Sequence, residues 1–181
     1  MIYKQENPML TETTSPSLEG YDDNAVPEIS TLPHVKKREA LTFKHSIDIY
    51  LKDSNAYGNT YFARNFEWQG VCRERWLQQC IAADLMQPQG VLITKNANTD
   101  YLRETFPFQT VECELNTLQV KNCSVILLFK FNVAGNLVCK GRQQIVFAAH
   151  DKKMQRWPAL VMENLRKYEL FEDGLTPLSR H

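Results

Sequence analysis

The chain has 181 residues, of which 43% are apolar, and its 21 basic residues balance its 21 acidic ones. This length suits one ordinary domain with an extension, and it is too short for two full cores. The balanced charge does not point to nucleic acid or membrane lipid as the main partner. The five cysteines include no CxxC pair, so we expect reduced thiols and a cytoplasmic protein without a disulfide framework or zinc site.

Residues 1–38 are predicted to be a mobile N-terminal extension that precedes a domain at 39–181. The extension holds four of the eight prolines among Ser, Thr, Glu and Asp. Such a segment cannot bury enough apolar area to offset its chain entropy. The first residues, MIYKQENPML, lack the basic-then-apolar run of a signal peptide, and no apolar stretch is long enough to span a membrane.

The first regular element of the domain is predicted at 41–51. Apolar and polar residues alternate there, which is the pattern of a strand with one buried face. Asp53 and Asn55 continue the inward parity of that strand. If the chain stays extended that far, both polar side chains point to the interior where the next loop begins.

A long helix is predicted after this loop. Gly58 permits a tight turn, and Asn59 or Thr60 can cap the first helical turn. A proline and a glycine further along the chain place the end of the helix near Met86.

Helical spacing gives this helix one apolar face with a charge in its middle, at Arg73. Burying an isolated charge costs several kcal/mol, so the guanidinium needs an explanation. It is either a structural ion-pair member with a snorkelling stem, or a binder of an anion or carbonyl that points into a pocket. The apolar face comprises Phe62, Phe66, Gly70, Leu77, Cys80 and Ile81, with Gln69 and Trp76 at its edge.

Four strands and a final helix are predicted in the second half of the chain. The strand candidates are 91–102, 108–120, 124–133 and 137–150, and the final helix opens at Trp157-Pro158. The nearly continuous apolar run at 124–133 indicates a central strand covered on both sides. The order β-α-β-β-β-β-α predicts an α+β fold in which an antiparallel sheet of about five strands wraps around one long central helix, with a C-terminal helix.

The stretch DSNAYGNTYFARNFEWQGVCRE, residues 53–74, resembles the hotdog-fold thioesterases of the 4-hydroxybenzoyl-CoA type. Within that group it is most similar to the thioesterases of enediyne polyketide biosynthesis, through Gly58-Asn59, Trp68-Gln69-Gly70 and Cys72-Arg73-Glu74. The resemblance covers roughly 43–150 and implies the hotdog fold. The chain departs from these relatives at Asn65, where they tend to have a tyrosine before the central portion of the helix, so any part that this position plays in lining the substrate channel need not carry over.

The resemblance implies that Asn55 and Arg73 are the catalytic pair. In the wider family a carboxylate at the position of Asn55 acts as base or nucleophile, and an amide can do neither. Enediyne thioesterases also carry Asn there, which implies that Asn55 and Arg73 bind and polarise the substrate. The predicted substrate-binding residues are Asp53, Gly58, Asn59, Tyr61, Phe62, Asn65, Phe66, Gln69 and Glu74.

Thioester hydrolysis requires a polarised carbonyl and a positioned water. Helix N-terminal amides near Tyr61 and Phe62 are suited to an oxygen that gains negative charge. Asp53, Glu67 and Glu74 are the carboxylates that could act as a base, although each also suits a loop cap or a solvated helix stripe. We expect no metal or other cofactor, and we interpret the helix cysteines as packing residues.

The substrate implied by the resemblance is an acyl or β-ketoacyl thioester on a phosphopantetheine thiol, borne by an acyl carrier protein or coenzyme A. Release of a polyketide-type chain is the first hypothesis. A general acyl-CoA thioesterase is the second, and a non-catalytic acyl-binding hotdog protein is the third. A homodimer or homotetramer is expected. An acidic carrier protein would be attracted by Lys140, Arg142, Lys152, Lys153 and Arg156.

Overall fold

A computed structural model describes residues 39–82 and 90–170 of the chain. The predicted extension at 1–38 lies outside the described residues, as do 83–89 and 171–181. The described elements are β1 (Phe43–Asp48), a 3₁₀ turn (Leu51–Asp53), α1 (Arg64–Trp76), a π-helical turn (Leu77–Ile81), β2 (Val91–Tyr101), β3 (Thr110–Leu118), β4 (Ser124–Val133), β5 (Asn136–Ala148) and α2 (Ala159–Lys167).

The strands form one antiparallel five-stranded sheet in the order β1-β3-β4-β5-β2. The apolar strand β4 therefore lies at the centre, as its sequence predicted. The long helix α1 packs on one face of this sheet, and α2 joins the same core. The predicted α+β architecture is confirmed.

The core lies between α1 and the central strands. Trp76 of α1 is fully buried and contacts Tyr168 edge to face, with ring centroids 5.5 Å apart. On the sheet side the rings of Phe129 and Phe131 are both fully buried. Aromatic side chains of this size bury the largest apolar areas in a domain, so this cluster supplies much of the hydrophobic stabilisation.

The buried face of the long helix agrees with the predicted one only in part, since Leu77 and Ile81 are buried as predicted. Phe62 and Phe66 are exposed, and the buried members are Asn65, Trp68, Gln69, Cys72 and Trp76. Helical spacing alone favoured the two phenylalanines because it gave no weight to buried amides. The structure buries Gln69 because sheet groups complete its hydrogen bonds.

Both ends of the predicted helix were wrong. Asn59 and Thr60 do not cap it, since α1 begins at Arg64 and the cap position is Ala63. At the other end the helical backbone stops at Ile81, and Ala82 is extended. Met86, where the sequence placed the end, lies outside the described residues.

The first strand is also shorter than predicted. It ends at Asp48, and the chain turns into a 3₁₀ helix at Leu51–Asp53. Leu51 is therefore exposed, although alternation assigned it to the core. Asp53 is held by the turn, because its Oδ2 accepts a hydrogen bond from the amide of Tyr50 at 2.9 Å.

The edge strand β2 carries an irregularity that matters for the site. Its pairing with β5 shifts between Thr94 and Asn96. An extra residue in one strand reverses the inward parity beyond it. Thr94 and Thr99, five residues apart, therefore both reach side chains of α1.

None of the helices in the described part of the chain combines the length and the apolar character needed to cross a membrane.

Replacing Trp76 by alanine should lower the free energy of unfolding by about 3–5 kcal/mol, because it opens a cavity beneath Tyr168. Leu160→Ala is the matched control, since Leu160 also lies on a helix but is 65% exposed. Urea denaturation of both variants measures the difference. Equal losses in the two variants would contradict the assigned core.

Candidate active site

A short loop at 54–60 follows the 3₁₀ turn, and its base is held by Asp53. The carbonyl oxygen of Asp53 accepts the amide of Tyr61 at 2.8 Å, and a bridge joins Ser54 to Thr60. The Asp53 carboxylate is buried and lies 3.5 Å from Nε of Arg64. The loop is thus closed on itself and attached to the first residues of α1.

Asn55 lies inside this loop, and its side-chain orientation is fixed. Its Oδ1 accepts the amide of Tyr57 at 2.8 Å, and its carbonyl oxygen accepts the amide of Gly58 at 3.0 Å. Gly58 has φ +85°, a conformation that favours glycine. Because an amide donor faces Oδ1, Nδ2 is the free end, and it makes no hydrogen bond to any other described residue.

A second loop, after β2, forms the opposite wall. Glu104 Oε1 accepts Nδ2 of Asn59 at 2.7 Å, and the Thr105 carbonyl accepts the amide of Thr60 at 2.8 Å. The hydroxyl of Tyr101 donates to the carbonyl of Phe62 at 2.8 Å. These bonds hold the two loops at a fixed separation.

Between the loops is an open cleft of about 540 Å³, a volume typical of small-molecule sites. Five of the predicted site residues line it together: Asn55, Asn59, Tyr61, Phe62 and Asn65. The opposite wall was not predicted, because no local pattern indicates that residues 101–105 return to this loop. The lining residues that were missed are Ala56, Tyr57, Thr60, Tyr101, Leu102, Arg103, Glu104, Thr105 and Cys139.

The cleft offers several amide donors, although not quite those predicted. The amide of Tyr61 is occupied by Asp53, and neither Tyr61 nor Phe62 belongs to α1. The Phe62 amide donates to no other residue of the described chain, and the Asn65 side chain, on the first turn of α1, is likewise without a partner there. Asn55 Nδ2, the Phe62 amide and Asn65 together make a polar, uncharged lining.

Arg73 lies elsewhere in this protomer. Its Nη1 donates to Thr94 Oγ1 at 2.9 Å and to Gln143 Oε1 at 3.0 Å, at the far end of α1 from the cleft. Eight helical residues separate it from Asn65, which is about 12 Å along the axis. Within one chain, therefore, the structure does not bring the predicted pair Asn55 and Arg73 together.

The remaining predicted site residues do not line the cleft. Gln69 is fully buried between α1 and the sheet, and Phe66 is on the outer side of the helix. Glu74 is exposed and approaches Arg73 only to 3.9 Å. Asp53 and Gly58 shape the loop that presents Asn55.

Few carboxylates are placed to act as a base. Asp53 is engaged beneath the loop, and Glu67 pairs with Arg64 on the helix surface. Glu104 is the one carboxylate among the cleft-lining residues that the structure describes, and Asn59 binds it. The cleft is therefore better equipped to polarise a carbonyl than to take a proton from water.

Cys139 brings a thiol to the cleft, but it is a poor nucleophile. Burial, helped by the nearby Asp100 carboxylate, raises the pKa of its thiol to about 12. Behind it the Cys72 and Cys113 thiols are in contact, and this hydrogen bond together with burial raises the pKa of Cys113 well above its usual range. The Cys113 and Cys139 thiols therefore stay protonated at neutral pH, and the thiolate is the reactive form.

A sequence model of the family described as the thioesterase-like superfamily matches residues 49–165. This match covers both walls of the cleft, the whole of α1 and all strands after it. Comparison with curated protein sequences gives no match.

Known structures share the fold. A predicted thioesterase from Bacillus stearothermophilus is 16% identical, with a TM-score of 0.65, over 72% of this chain and 98% of that one. The dynemicin thioesterase is 24% identical, with a TM-score of 0.66, over 72% and 99%. Slr0204, a 1,4-dihydroxy-2-naphthoyl-CoA thioesterase from Synechocystis, is 17% identical, with a TM-score of 0.64, over 69% and 96%.

Alkylation and substitution at Cys139 test its assignment as a wall residue. Because its thiol pKa is about 12, the protonated form prevails from neutral pH up to about pH 11. Iodoacetamide at pH 7 should leave turnover within about twofold of the untreated protein, and Cys139→Ala should do the same. Rapid inactivation that Cys139→Ala abolishes would instead identify a reactive thiolate.

Proposed function

The chain belongs to the thioesterase-like superfamily and is a thioester hydrolase, and from this premise we propose that it releases an acyl or β-ketoacyl chain from an acyl carrier protein. In this proposal Asn55 and Arg73 polarise the substrate, and no carboxylate acts as base. The active unit is a homodimer, alone or as half of a homotetramer, with the acyl chain bound at the subunit boundary.

The observation that carries this proposal is the orientation of Asn55. Its Oδ1 is held by the amide of Tyr57, which leaves both Nδ2 hydrogens for an oxygen in the cleft. A donor that is fixed before the reaction needs no reorganisation when charge develops on the thioester oxygen. The Phe62 amide, on the same wall, is suited to be a second donor.

The dimer is suggested by the unpaired edge of the sheet. Strand β2 has eleven residues, and among the residues that the structure describes it pairs only with β5. Most residues from Thr94 to Tyr101 are exposed, and only Lys95 and Asp100 are charged. A long, weakly charged edge attracts another strand, and a second copy of β2 is the simplest partner.

Such pairing would also complete the active site. Thr94, which holds Arg73, and Tyr101, which lines the cleft, lie about 20 Å apart along β2. A two-fold axis reverses the strand, so the Thr94 end of one β2 lies beside the Tyr101 end of the other. Arg73 of the partner subunit would then approach the cleft that contains Asn55.

The reaction follows from these positions. Asn55 Nδ2 donates to the thioester oxygen, and the guanidinium of the partner's Arg73 binds the β-keto oxygen. Water adds to the polarised carbonyl, and the oxyanion is stabilised by the same donors. The C–S bond then breaks, the carrier leaves as a thiol, and the acyl chain leaves as a carboxylic acid. A β-keto acid can lose CO₂ without further catalytic groups.

The chain type and the carrier are inferred from a structural relative and from surface charges. The dynemicin thioesterase binds polyenes, and its 24% identity favours a related unsaturated chain of enediyne polyketide biosynthesis. Among the predicted carrier-binding cations, Lys153 is already paired with Asp151. Lys140 and Arg142 lie on β5, and Lys152 and Arg156 follow that strand, so these four are left to attract an acidic carrier protein.

Asn55→Ala should lower kcat on a β-ketoacyl carrier substrate about 10²–10³-fold, because it removes one preorganised donor. Asn55→Asp should also be slow, since a carboxylate there competes with the substrate oxygen for the guanidinium. Steady-state hydrolysis of carrier-bound and coenzyme A thioesters measures both. If the substitutions lower hydrolysis of the carrier-bound thioester but not of the coenzyme A thioester, a protein carrier is favoured.

Unchanged turnover in Asn55→Ala would overturn its role. Glu104→Gln tests the remaining alternative, which is that Glu104 acts as a base. Glutamine retains an oxygen for Asn59 but cannot accept a proton. A collapse of kcat in Glu104→Gln would show that a carboxylate base operates. No hydrolysis by the unaltered protein on any carrier-bound chain would favour an acyl-binding role.

Mixed dimers test whether each site uses two subunits. Asn55→Ala and Arg73→Met are each expected to be nearly inactive. Co-expression with two different tags allows the hybrid dimer to be isolated, and one of its two sites contains neither substitution. Turnover of the hybrid should therefore recover to about half that of the unaltered dimer.

Two results would contradict the shared site. A hybrid as inactive as its parents would place both residues in one protomer's site. Full activity of the Arg73→Met homodimer would remove Arg73 from the reaction altogether.

A further inference from the structure

A row of neutral amides lies inside the interface between α1 and the sheet, where the surroundings are otherwise mostly apolar. Gln69 of α1 and Gln143 of β5 are both buried. Gln143 Nε2 donates to Gln69 Oε1 at 3.1 Å, and Gln143 Oε1 accepts Nη1 of Arg73 at 3.0 Å. Gln143 thus connects a buried helix amide to the guanidinium.

The direction of this row is fixed by its two ends. Gln69 Nε2 donates to the carbonyl of Asn98 at 3.2 Å and to Thr99 Oγ1 at 2.7 Å. A backbone carbonyl can only accept, so Gln69 must turn its oxygen towards Gln143. Gln143 then turns its own oxygen towards Arg73, which can only donate. Each amide has one orientation that satisfies all of its neighbours.

Space for this row is provided by Gly141. A Cβ atom on Gly141 would overlap the Gln69 amide nitrogen and lie 2.7 Å from its Cδ. The Gln69 amide therefore lies directly against the β5 backbone. A larger residue there would displace it and leave buried polar groups without hydrogen-bond partners, which is destabilising.

The amide row binds the Arg73 side chain without neutralising its positive charge. Both hydrogens on Nη1 are taken by neutral oxygens, those of Thr94 and Gln143. Glu74 approaches Nη2 only to 3.9 Å and is itself exposed to solvent. A carboxylate in place of the Gln143 oxygen would anchor the guanidinium equally well but would cancel its charge. Nη2 and Nε keep hydrogens for another acceptor.

We propose that Gln143, oriented by Gln69, is a positioning residue that aims Arg73 at the substrate while preserving its positive charge. This inference rests on the proposed role of Arg73 in polarising the substrate. Gln143 acts through Arg73 and does not itself line the cleft.

Two substitutions at Gln143 separate the anchoring of Arg73 from the preservation of its positive charge. Gln143→Met keeps the volume but removes the oxygen, and it should lower kcat about tenfold with KM changed less than threefold. Gln143→Glu keeps an oxygen near Arg73, adds a negative charge and removes the donor to Gln69 Oε1, and it should lower kcat at least as much. Near-normal kcat in Gln143→Glu would show that anchoring alone matters and would overturn the charge-preserving role.

The control is Gln144→Met, on the adjacent residue of β5, whose side chain points to the other face of the sheet. It should retain kcat within about twofold. Thermal melting of all variants separates slow turnover from loss of fold. Both Gln143 variants lose the donation to Gln69 Oε1, so kcat of all variants is compared at a temperature well below the lowest melting point.

A double-mutant cycle with Arg73→Met identifies the route of the effect. If Gln143 acts through Arg73, Gln143→Met should change kcat less than twofold when Arg73 is already methionine. A second tenfold loss in that background would overturn the inference. An active Arg73→Met protein would instead disprove the proposed function of Arg73, while an impaired Arg73→Met beside a fully active Gln143→Met would disprove this inference alone.

Discussion

The hydrogen bond between Gln69 and Gln143 constrains how α1 can rest on the sheet. Buried amides are tolerated only when their donors and acceptors are bound, and here the partners lie on two strands as well as on the helix. A rotation of α1 about its axis would break these bonds, whereas apolar contacts alone would allow repacking. The amide row therefore fixes the phase of the helix.

Once the rotation of α1 about its axis is fixed, two neighbouring rows of side chains on this helix have different roles. Trp68, Cys72 and Trp76, spaced by four residues, form the apolar row within the core. Asn65, Gln69 and Arg73, with the same spacing, form a polar row beside it. This polar row begins at the cleft and ends at Thr94 on the edge strand. One helix thus contributes to both halves of the proposed site.

The sequence predicted the architecture well because the strands carry strong patterns. The apolar run of β4 marked the centre of the sheet, as the structure confirms. The predicted apolar face of the helix was right in part: Leu77 and Ile81 are buried, but Phe62 and Phe66 are exposed, because the buried face is centred on the residues that were predicted at its edge. The short strand β1 was also misjudged, since alternation continues through Leu51 although the backbone turns there.

The candidate site was predictable only where it is local in sequence. Asn55, Asn59 and Phe62 lie within one motif, and the structure places them on one wall of the cleft. Glu104 and Cys139 reach the same cleft from other strands and loops. No local sequence pattern indicates that these residues lie close to the loop of Asn55. Gln143 was missed for the same reason, because its partner on α1 is 74 residues away.

The separation of Asn55 from Arg73 within one chain connects the fold to the proposed reaction. If a single protomer were the active unit, Arg73 would have to cross most of α1 to reach the cleft, and its bonds to Thr94 and Gln143 hold it in place. The edge of β2 that no other described strand pairs offers another solution, because a two-fold axis exchanges the two ends of that strand. In such a dimer, Gln143 is useful to the site as a rigid, uncharged anchor for Arg73. Across a subunit boundary a flexible side chain gains most from being held in one orientation, since the entropy of ordering it is lost on folding and not during the reaction.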